Sequence, residues 1–338
     1  MKHVLVLGGT GFVGSHVCEK LVRAGFRVSV PTRRAVNARH IQHLPALTVL
    51  ECNVHDEPAL TRAMEGVDAV VNLVAILHGT PSAFDQVHRV LPEKIARACR
   101  AQGVRQLVHV SALGTDHRAP QNCPSNYLRS KGQGEAALMQ TLGWSENASA
   151  QPWESERTGL TVLRPSVIFG AQDKFLNVFA ALQKIFPVMP LAGADAKFQP
   201  VWVEDVASAV VQSVQNGLAD RPQWQIYELV GPTVCTLREL VQLAGRLTGI
   251  RQGRGRPVIG LPRWMGKIQA VLLGLMPGEP VMSVDNLDSM RVDNIASAQW
   301  PGLQALGIAP ASLAAIAPQY LVANRAELGL MGTRQRAH

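Results

Sequence analysis

The sequence predicts an α/β protein built on a doubly wound parallel sheet, and three observations carry that prediction. Short unbroken apolar runs alternate with segments of helical period through the first 165 residues. The runs lack the polar alternation of a half-exposed strand, as expected for strands covered on both faces. The first run leads straight into the glycine-rich turn Gly8-Gly9-Thr10-Gly11-Phe12-Val13-Gly14, inside which helical periodicity begins.

Taken in order, residues 4–7 read as the first strand. Residues 12–23 read as a helix with Val13, Val17 and Leu21 on one face and Gly25 beyond its end. Further strands are expected at 27–30, 48–52, 69–73, 106–110 and 160–163. The helices between them are expected at 58–64, 90–101 and 126–141. Pro58 suits a first turn, where its missing N–H costs no hydrogen bond. Residues 144–157 are polar and aperiodic and read as a surface insertion. After Pro165 proline and glycine become frequent and short strands mix with helices. The expected organisation is a nucleotide-binding domain over 1–165, with the insertion near 144–158, and a smaller mixed α/β domain over 166–338, partly interleaved with it. Within the latter, Asp205 is expected to cap a helix over 205–215, and Thr236 with Glu239 has capping-box spacing.

The chain has 338 residues, enough for about two domains. A hydrophobic share of 47% against 17% charged excludes global disorder. Thirty-three basic against 25 acidic residues leave a net charge of +8, which suits an acidic partner, an anionic membrane surface or a phosphorylated ligand. The five cysteines, Cys18, Cys52, Cys99, Cys123 and Cys235, are odd in number and form no C-x-x-C pair. That argues against a disulfide framework or zinc ribbon and fits a reducing compartment. The apolar run at 4–7 is too short for a signal sequence, and no run is long enough to span a bilayer. A soluble, cytoplasmic protein is expected. The ten histidines are scattered without metal-ligand spacing, so no metal is expected. Aromatic residues make up 5% and do not interleave with basic ones, so no nucleic-acid partner is expected.

The glycine loop has a defined chemistry. Glycines let backbone N–H groups approach a pyrophosphate, and the helix that follows presents its positive end. The position after a first strand and before a first helix is the context that makes a Rossmann-type dinucleotide site of it. An acid at the end of the second strand would bind a ribose 2′-hydroxyl, and arginine would meet a 2′-phosphate. Here the residues are Pro31-Thr32-Arg33-Arg34, which favours NADP(H) over NAD(H). Farther on, Ser111 ends a strand, and Tyr127 and Lys131 follow one helical turn apart. In that arrangement the ammonium lowers the phenol pKa, the phenol exchanges a proton with a substrate oxygen, and the serine holds that oxygen.

These elements resemble the short-chain dehydrogenase/reductase superfamily in its extended and atypical branches. Asn72-Leu-Val-Ala75, Tyr127-Leu-Arg-Ser-Lys131 with Gly134-Glu135, Leu163-Arg-Pro-Ser166, Asp173-Lys-Phe175-Leu-Asn177, Gln199-Pro200-Val201 and Tyr227-Glu-Leu-Val-Gly231 resemble the branch of NAD-dependent epimerase/dehydratases that contains the nucleotide-binding accessory subunits of respiratory complex I. The likeness covers most of the chain. It implies that Gly8, Thr10, Gly11, Phe12, Val13 and Gly14 meet the cofactor diphosphate, and that Arg33, with Arg34 beside it, meets the adenosine 2′-phosphate. Asn53 and Val54 would border the adenine, Leu73, Val74 and Ala75 the ribose, and Pro165, Ser166 and Val167 the nicotinamide. Lys131 would hold the nicotinamide ribose, and Ser111, Tyr127 and Lys131 would catalyse. Asn53 stands where many relatives carry aspartate.

From Leu240 to Gly278 there is no acidic residue, but there are six basic ones, Arg246, Arg251, Arg254, Arg256, Arg263 and Lys267. The apolar segment 264–276 follows the last arginines. The stretch 246–276 reads either as an interfacial element for anionic lipid or a membrane complex, or as a core helix with a solvated basic loop. Two functions are therefore expected. One is an NADP(H)-dependent oxidoreductase acting on a carbonyl, carbinol or quinone-like apolar substrate. The other is a non-catalytic NADPH-binding accessory or assembly module of a respiratory or quinone-biosynthesis complex, peripheral on the inner face of the membrane.

Overall fold

A computed structural model describes residues 1–144, 158–219, 224–274 and 282–322. The expected insertion falls almost wholly on 145–157 and lies outside the described residues, as do the last residues of the apolar segment 264–276.

The chain runs β1 (His3–Leu7), α1 (Phe12–Arg23), β2 (Arg27–Thr32), β3 (Leu47–Glu51), α2 (Glu57–Ala63), β4 (Ala69–Asn72), α3 (Pro81–Asp85), a π-helical turn (Gln86–Val90), α4 (Leu91–Ala101), β5 (Gln106–Val110), α5 (Asn126–Leu142) and β6 (Gly159–Pro165). It continues β7 (Ile168–Phe169), α6 (Leu176–Ile185), β8 (Met189–Ala192), β9 (Lys197–Phe198), β10 (Val201–Trp202), α7 (Val203–Ala219), β11 (Trp224–Leu229), β12 (Cys235–Thr236), α8 (Leu237–Leu247), β13 (Val258–Leu261), α9 (Arg263–Gly274), α10 (Val284–Ser289) and α11 (Leu313–Leu321). Two units emerge. One holds Met1–Pro165, Val203–Leu229 and Ser297–Ala309; the other holds Ser166–Trp202, Val230–Ala296 and Pro310–His338.

The first unit is a seven-stranded sheet in the order β11-β6-β5-β4-β1-β2-β3, and every pair in it is parallel. Strand order reverses between β1 and β4, which leaves a crevice beyond their C-terminal ends. The six strands read from the sequence all form. The seventh, β11, has the polar-interrupted pattern WQIYEL; it lies at the sheet edge, and its buried Glu228 accepts from the Ser297 N–H and Oγ. One face carries Leu5, Leu7, Val70, Leu107, Leu160 and Val162 against α2, α4 and α5. On the other, α1 packs against α7.

Helix α7 begins at Val203, so Asp205 lies inside its first turn and is not the cap. The helix starts early because Glu204 and Asp205 both suit a positive N-terminus. Glu204 also ties α7 to α1: its carboxylate meets His16 Nδ1 at 2.5 Å and Lys20 Nζ at 2.9 Å. Those bonds, the one to His16 foremost, hold Glu204 down at about 2.

Helix α5 carries glycines in its interior, where each costs about 1 kcal/mol of helix stability. The reason is close approach. A Cβ at Gly134 would overlap the carbonyl oxygen of His88 in the π-helical turn. The glycine lets two backbones touch, and that contact sets the position of α5.

The second unit is built from the strand pairs β7–β10, β8–β13 and β9–β12 and from α6, α8 and α11 around Phe169, Leu176, Leu240, Val241 and Leu321. The Thr236 and Glu239 capping box forms reciprocally at the start of α8. Asp173 organises the turn before α6 by accepting from the N–H groups of Gly170, Phe175 and Asn177 and from the Tyr320 hydroxyl. Among the described residues, no helix is long and apolar enough to cross a membrane.

Two measurements check this packing. Gly134→Ala should lower unfolding free energy in urea by about 1–3 kcal/mol, the usual cost of overpacking. Glu204 contributes stability above its ordinary pKa of 4.5 that is lost as pH falls toward about 2. Glu204→Gln should therefore flatten the acid limb of the pH–stability profile and leave its neutral region unchanged in slope.

Candidate active site

The glycine loop leaves β1 at the topological reversal. Gly8 has φ of 83°, and the Gly11 N–H bonds to the Gly8 carbonyl at 3.0 Å, closing a tight turn. A Cβ at Gly14 would overlap the Gly8 carbonyl, and one at Gly8 would press on the Leu73 backbone at 3.1 Å. Gly11 is the N-cap of α1 and supplies no capping side chain. The N–H groups of Phe12, Val13 and Gly14 thus have no partner within the helix and sit at its positive end. Leu73 extends the β4 pairing through its N–H to Leu7 O at 2.9 Å, and Val74 N–H is held by Asn72 Oδ1 at 3.1 Å. Ala75 is exposed beside them. A cradle without room for side chains and a set of open first-turn donors fit a dinucleotide pyrophosphate.

Arg33 and Arg34 follow β2 and are exposed. The sequence around them has no neighbouring acid, but the fold brings one. Glu51 pairs with Thr32 across β2–β3, and its Oε1 accepts from Ala35 N–H at 3.1 Å. Asn53, after β3, turns its Oδ1 to the His55 N–H at 3.2 Å, while Val54 packs on the core. Burial, and then Lys94 and Arg33, hold His55 below its usual pKa.

Ser111 ends β5. It is buried, its N–H bonds to Leu163 O at 2.7 Å, and its Oγ has no hydrogen-bond partner among the described residues. Ser125 caps α5, placing Tyr127 in the first turn and Lys131 in the second. Lys131 is 1% exposed, and its Nζ donates to Val110 O at 2.8 Å, on the residue before Ser111. Burial lowers Lys131 to about 8, with Glu135 pulling the other way. Tyr127 packs edge-on against His88 at 5.5 Å and Phe84 at 6.2 Å. Burial pushes its phenol up to about 12. That direction is opposite to the lowering expected from the lysine. The phenol is a proton-holding group at neutral pH.

Two supporting groups escaped the sequence reading. His88 Nε2 accepts from the Ile76 N–H at 3.1 Å, which places its proton on Nδ1. Nδ1 faces Ser130 Oγ at 2.9 Å, and Ser130 Oγ donates to Tyr127 O at 2.8 Å. Burial and then Lys131 depress His88 to about 2, so this chain of bonds stays in one protonation state. A lone histidine gives no sequence signal for such a role. One turn beyond Lys131, the buried Glu135 carboxylate takes a fork from Arg164 at 3.1 and 2.5 Å and a bond from Thr115 Oγ1 at 2.8 Å. Arg164 also meets His117 Nδ1 at 2.9 Å and lies over the Trp300 ring.

Pro165 closes β6, its carbonyl accepting from Leu113 N–H at 2.9 Å. Ser166 and Val167 belong to the second unit. There Asn294 Oδ1 accepts from Ser166 Oγ at 2.6 Å and from Val167 N–H at 3.1 Å. The other predicted site residues lie past the C-terminal ends of β1 to β6 or in the first two turns of α5, all in the first unit.

A family model described as "NAD dependent epimerase/dehydratase family" matches residues 4–227. A mouse mitochondrial protein, NADH dehydrogenase [ubiquinone] 1 alpha subcomplex subunit 9, is 31% identical over 91% of this chain and 76% of its own length. In structure the chain is similar to the dTDP-glucose 4,6-dehydratase of Streptomyces venezuelae, with a TM-score of 0.69 at 18% identity, covering 97% of this chain and 98% of that one. It is also similar to an NADPH-dependent quinone oxidoreductase from Escherichia coli, with a TM-score of 0.68 at 18% identity over 96% and 99%. The glycine cradle at the strand reversal and the match over most of the chain lead to one assignment: the chain belongs to the NAD dependent epimerase/dehydratase family.

Proposed function

We propose that the chain binds NADP(H) and catalyses hydride transfer between its nicotinamide and a carbonyl, carbinol or quinone-like apolar substrate. The observation that carries this reading is the trio at the end of β5: an unpartnered Ser111 hydroxyl, a protonated Tyr127 and a buried Lys131 tied to Val110. The first-turn N–H groups of Phe12, Val13 and Gly14 hold the diphosphate, and Arg33 and Arg34 hold the 2′-phosphate through charge-assisted bonds. Asn53 and Val54 border the adenine, and Leu73, Val74 and Ala75 line the ribose. Pro165, Ser166 and Val167 flank the nicotinamide.

When bound, the nicotinamide supplies or takes up a hydride at its ring carbon. In reduction, Ser111 Oγ donates a hydrogen bond to the substrate oxygen. Tyr127 gives that oxygen its phenolic proton, and the Lys131 ammonium stabilises the phenolate left behind. His88 and Ser130 fix the backbone that presents Tyr127.

A second reading makes the chain a non-catalytic NADPH-binding accessory or assembly module of a membrane respiratory or quinone-biosynthesis complex. The likeness to a mouse protein named as an NADH dehydrogenase subunit, over 91% of this chain, favours it. That reading places the chain at the inner face of the membrane.

A fluorescence titration should give tighter binding of NADPH than of NADH. Arg33→Ser should remove about tenfold of the NADPH affinity and leave NADH binding nearly unchanged. Oxidation of bound NADPH by short-chain quinones should vanish in Tyr127→Phe while NADPH affinity holds. Equal turnover in that variant would sink the catalytic assignment, and a bound nicotinamide that no quinone oxidises in the unaltered protein would favour the accessory reading.

A further inference from the structure

We infer that α9 of the second unit is a docking element for an anionic phospholipid surface. This inference goes beyond the cofactor site and does not depend on whether the cofactor turns over.

A helix on a protein surface normally turns its large apolar residues inward. Among the described side chains of α9, the inward positions are Gly266 and Ala270, both buried, and Gly266 lies so close to Ala192 of β8 that a Cβ there would collide with it. The large residues face out. Trp264 is 66% exposed, Ile268 54% and Val271 53%, and their spacing of four and three puts them on one stripe. Lys267 flanks the stripe and is exposed. The small face sets the docking distance on β8, and the outward stripe is left without a partner among the described residues.

Further apolar residues are exposed on and just before the strand pair that α9 packs against. Gln269 Nε2 bonds to Pro190 O on β8 at 3.0 Å, and Pro190 pairs in register with Ile259 on β13, which is 55% exposed. Just before β8, Phe186 is 47% exposed. Scattered exposed apolar residues are ordinary, but a joined set on one helix and the adjacent strand pair marks a contact surface.

The basic stretch of sequence that carries this surface favours one occupant, although Asp195, Asp288 and Asp293 line a pocket with Lys267, Arg238 and Arg291 beneath it. The segment from Leu240 to Gly278 contains no acidic residue. The loop before β13 carries Arg251, Arg254 and Arg256, with Arg251 and Gln252 both at positive φ. Such strained backbone persists only where the surroundings hold it. Hydrogen bonds from Gly253 and Gly255 N–H to Ile250 O close this loop, and Arg256 is bonded to Gln183 of α6 through its N–H and Nε. Arg251 and Arg254 are left exposed on a fixed loop. Tryptophan with bulky aliphatics on one face and cations at the edges is the composition that settles at the headgroup level of an anionic bilayer. An acidic protein partner would meet the arginines but gain little from the Trp264–Ile268–Val271 stripe.

The test uses the full chain and sedimentation with vesicles of phosphatidylcholine alone or mixed with phosphatidylglycerol. The chain should bind the anionic vesicles and not the zwitterionic ones, and binding should weaken as salt rises. Trp264→Ser with Ile268→Ser should abolish binding without changing the melting temperature, since both side chains already face solvent. Arg254→Glu should weaken binding about tenfold or more. Absence of binding to anionic vesicles overturns the inference, as does binding that survives both sets of substitutions. A concentration-dependent dimer that Ile268→Asp dissociates, with no vesicle binding, would assign the surface to a second copy of the chain instead.

Discussion

Helix α5 rests on the π-helical turn through a backbone contact at Gly134 that no side chain could share. The site depends on that spacing. It brings Lys131 within reach of the Val110 carbonyl and lets His88 reach Ser130 on the same helix. It also sinks Glu135 into the interior, where Arg164 and Thr115 meet it. A helix held one side chain farther out would lose all three contacts together. The glycine costs helix stability, and the contact returns a defined position for the two residues nearest the chemistry.

The electrostatics follow from the same burial. Desolvation drives Lys131 down and Tyr127 up, so the phenol holds its proton and the ammonium is close to its titration point. Glu135 opposes the fall of Lys131, and Glu135 is itself neutralised by the Arg164 fork. A buried ion pair is seldom stabilising beyond its own desolvation cost, but removing one partner leaves a stranded charge. Arg164 and Glu135 therefore act as a support for the pair above them more than as a source of fold stability. His88 and His109 complete the picture: burial first, then the lysine charge, keeps both neutral.

Much of this was legible before any coordinates. The glycine loop, the six strands and the Ser111, Tyr127 and Lys131 spacing all rest on local pattern, which short-range periodicity reports well, although β3 at the sheet edge is only partly buried. What was not legible depends on contacts distant in sequence. Strand β11 pairs with β6 across 64 positions of sequence, Trp224 to Leu160, and its buried Glu228 is satisfied by the distant Ser297. Glu51 comes beside the Arg33 loop only through the β2–β3 pairing. Asp205 has the identity of a cap, but it lies inside the first turn of α7, where it and Glu204 suit the positive helix end. The direction of the phenol shift depends on burial, which the Tyr127–Lys131 spacing does not show. The basic, apolar stretch was visible as composition, whereas the outward turn of Trp264 and Ile268 needed the packing of Gly266 on β8.

The account turns on Lys131 being desolvated by the packing of α5. Nuclear magnetic resonance of the chain labelled at lysine side chains, with Lys131→Met to assign the signal, reads this directly. Titration of Lys131 near 8, well below the ordinary 10.5, is the predicted result. Titration near 10.5 would mean that solvent reaches the ammonium, and the account of the site built on burial would be wrong.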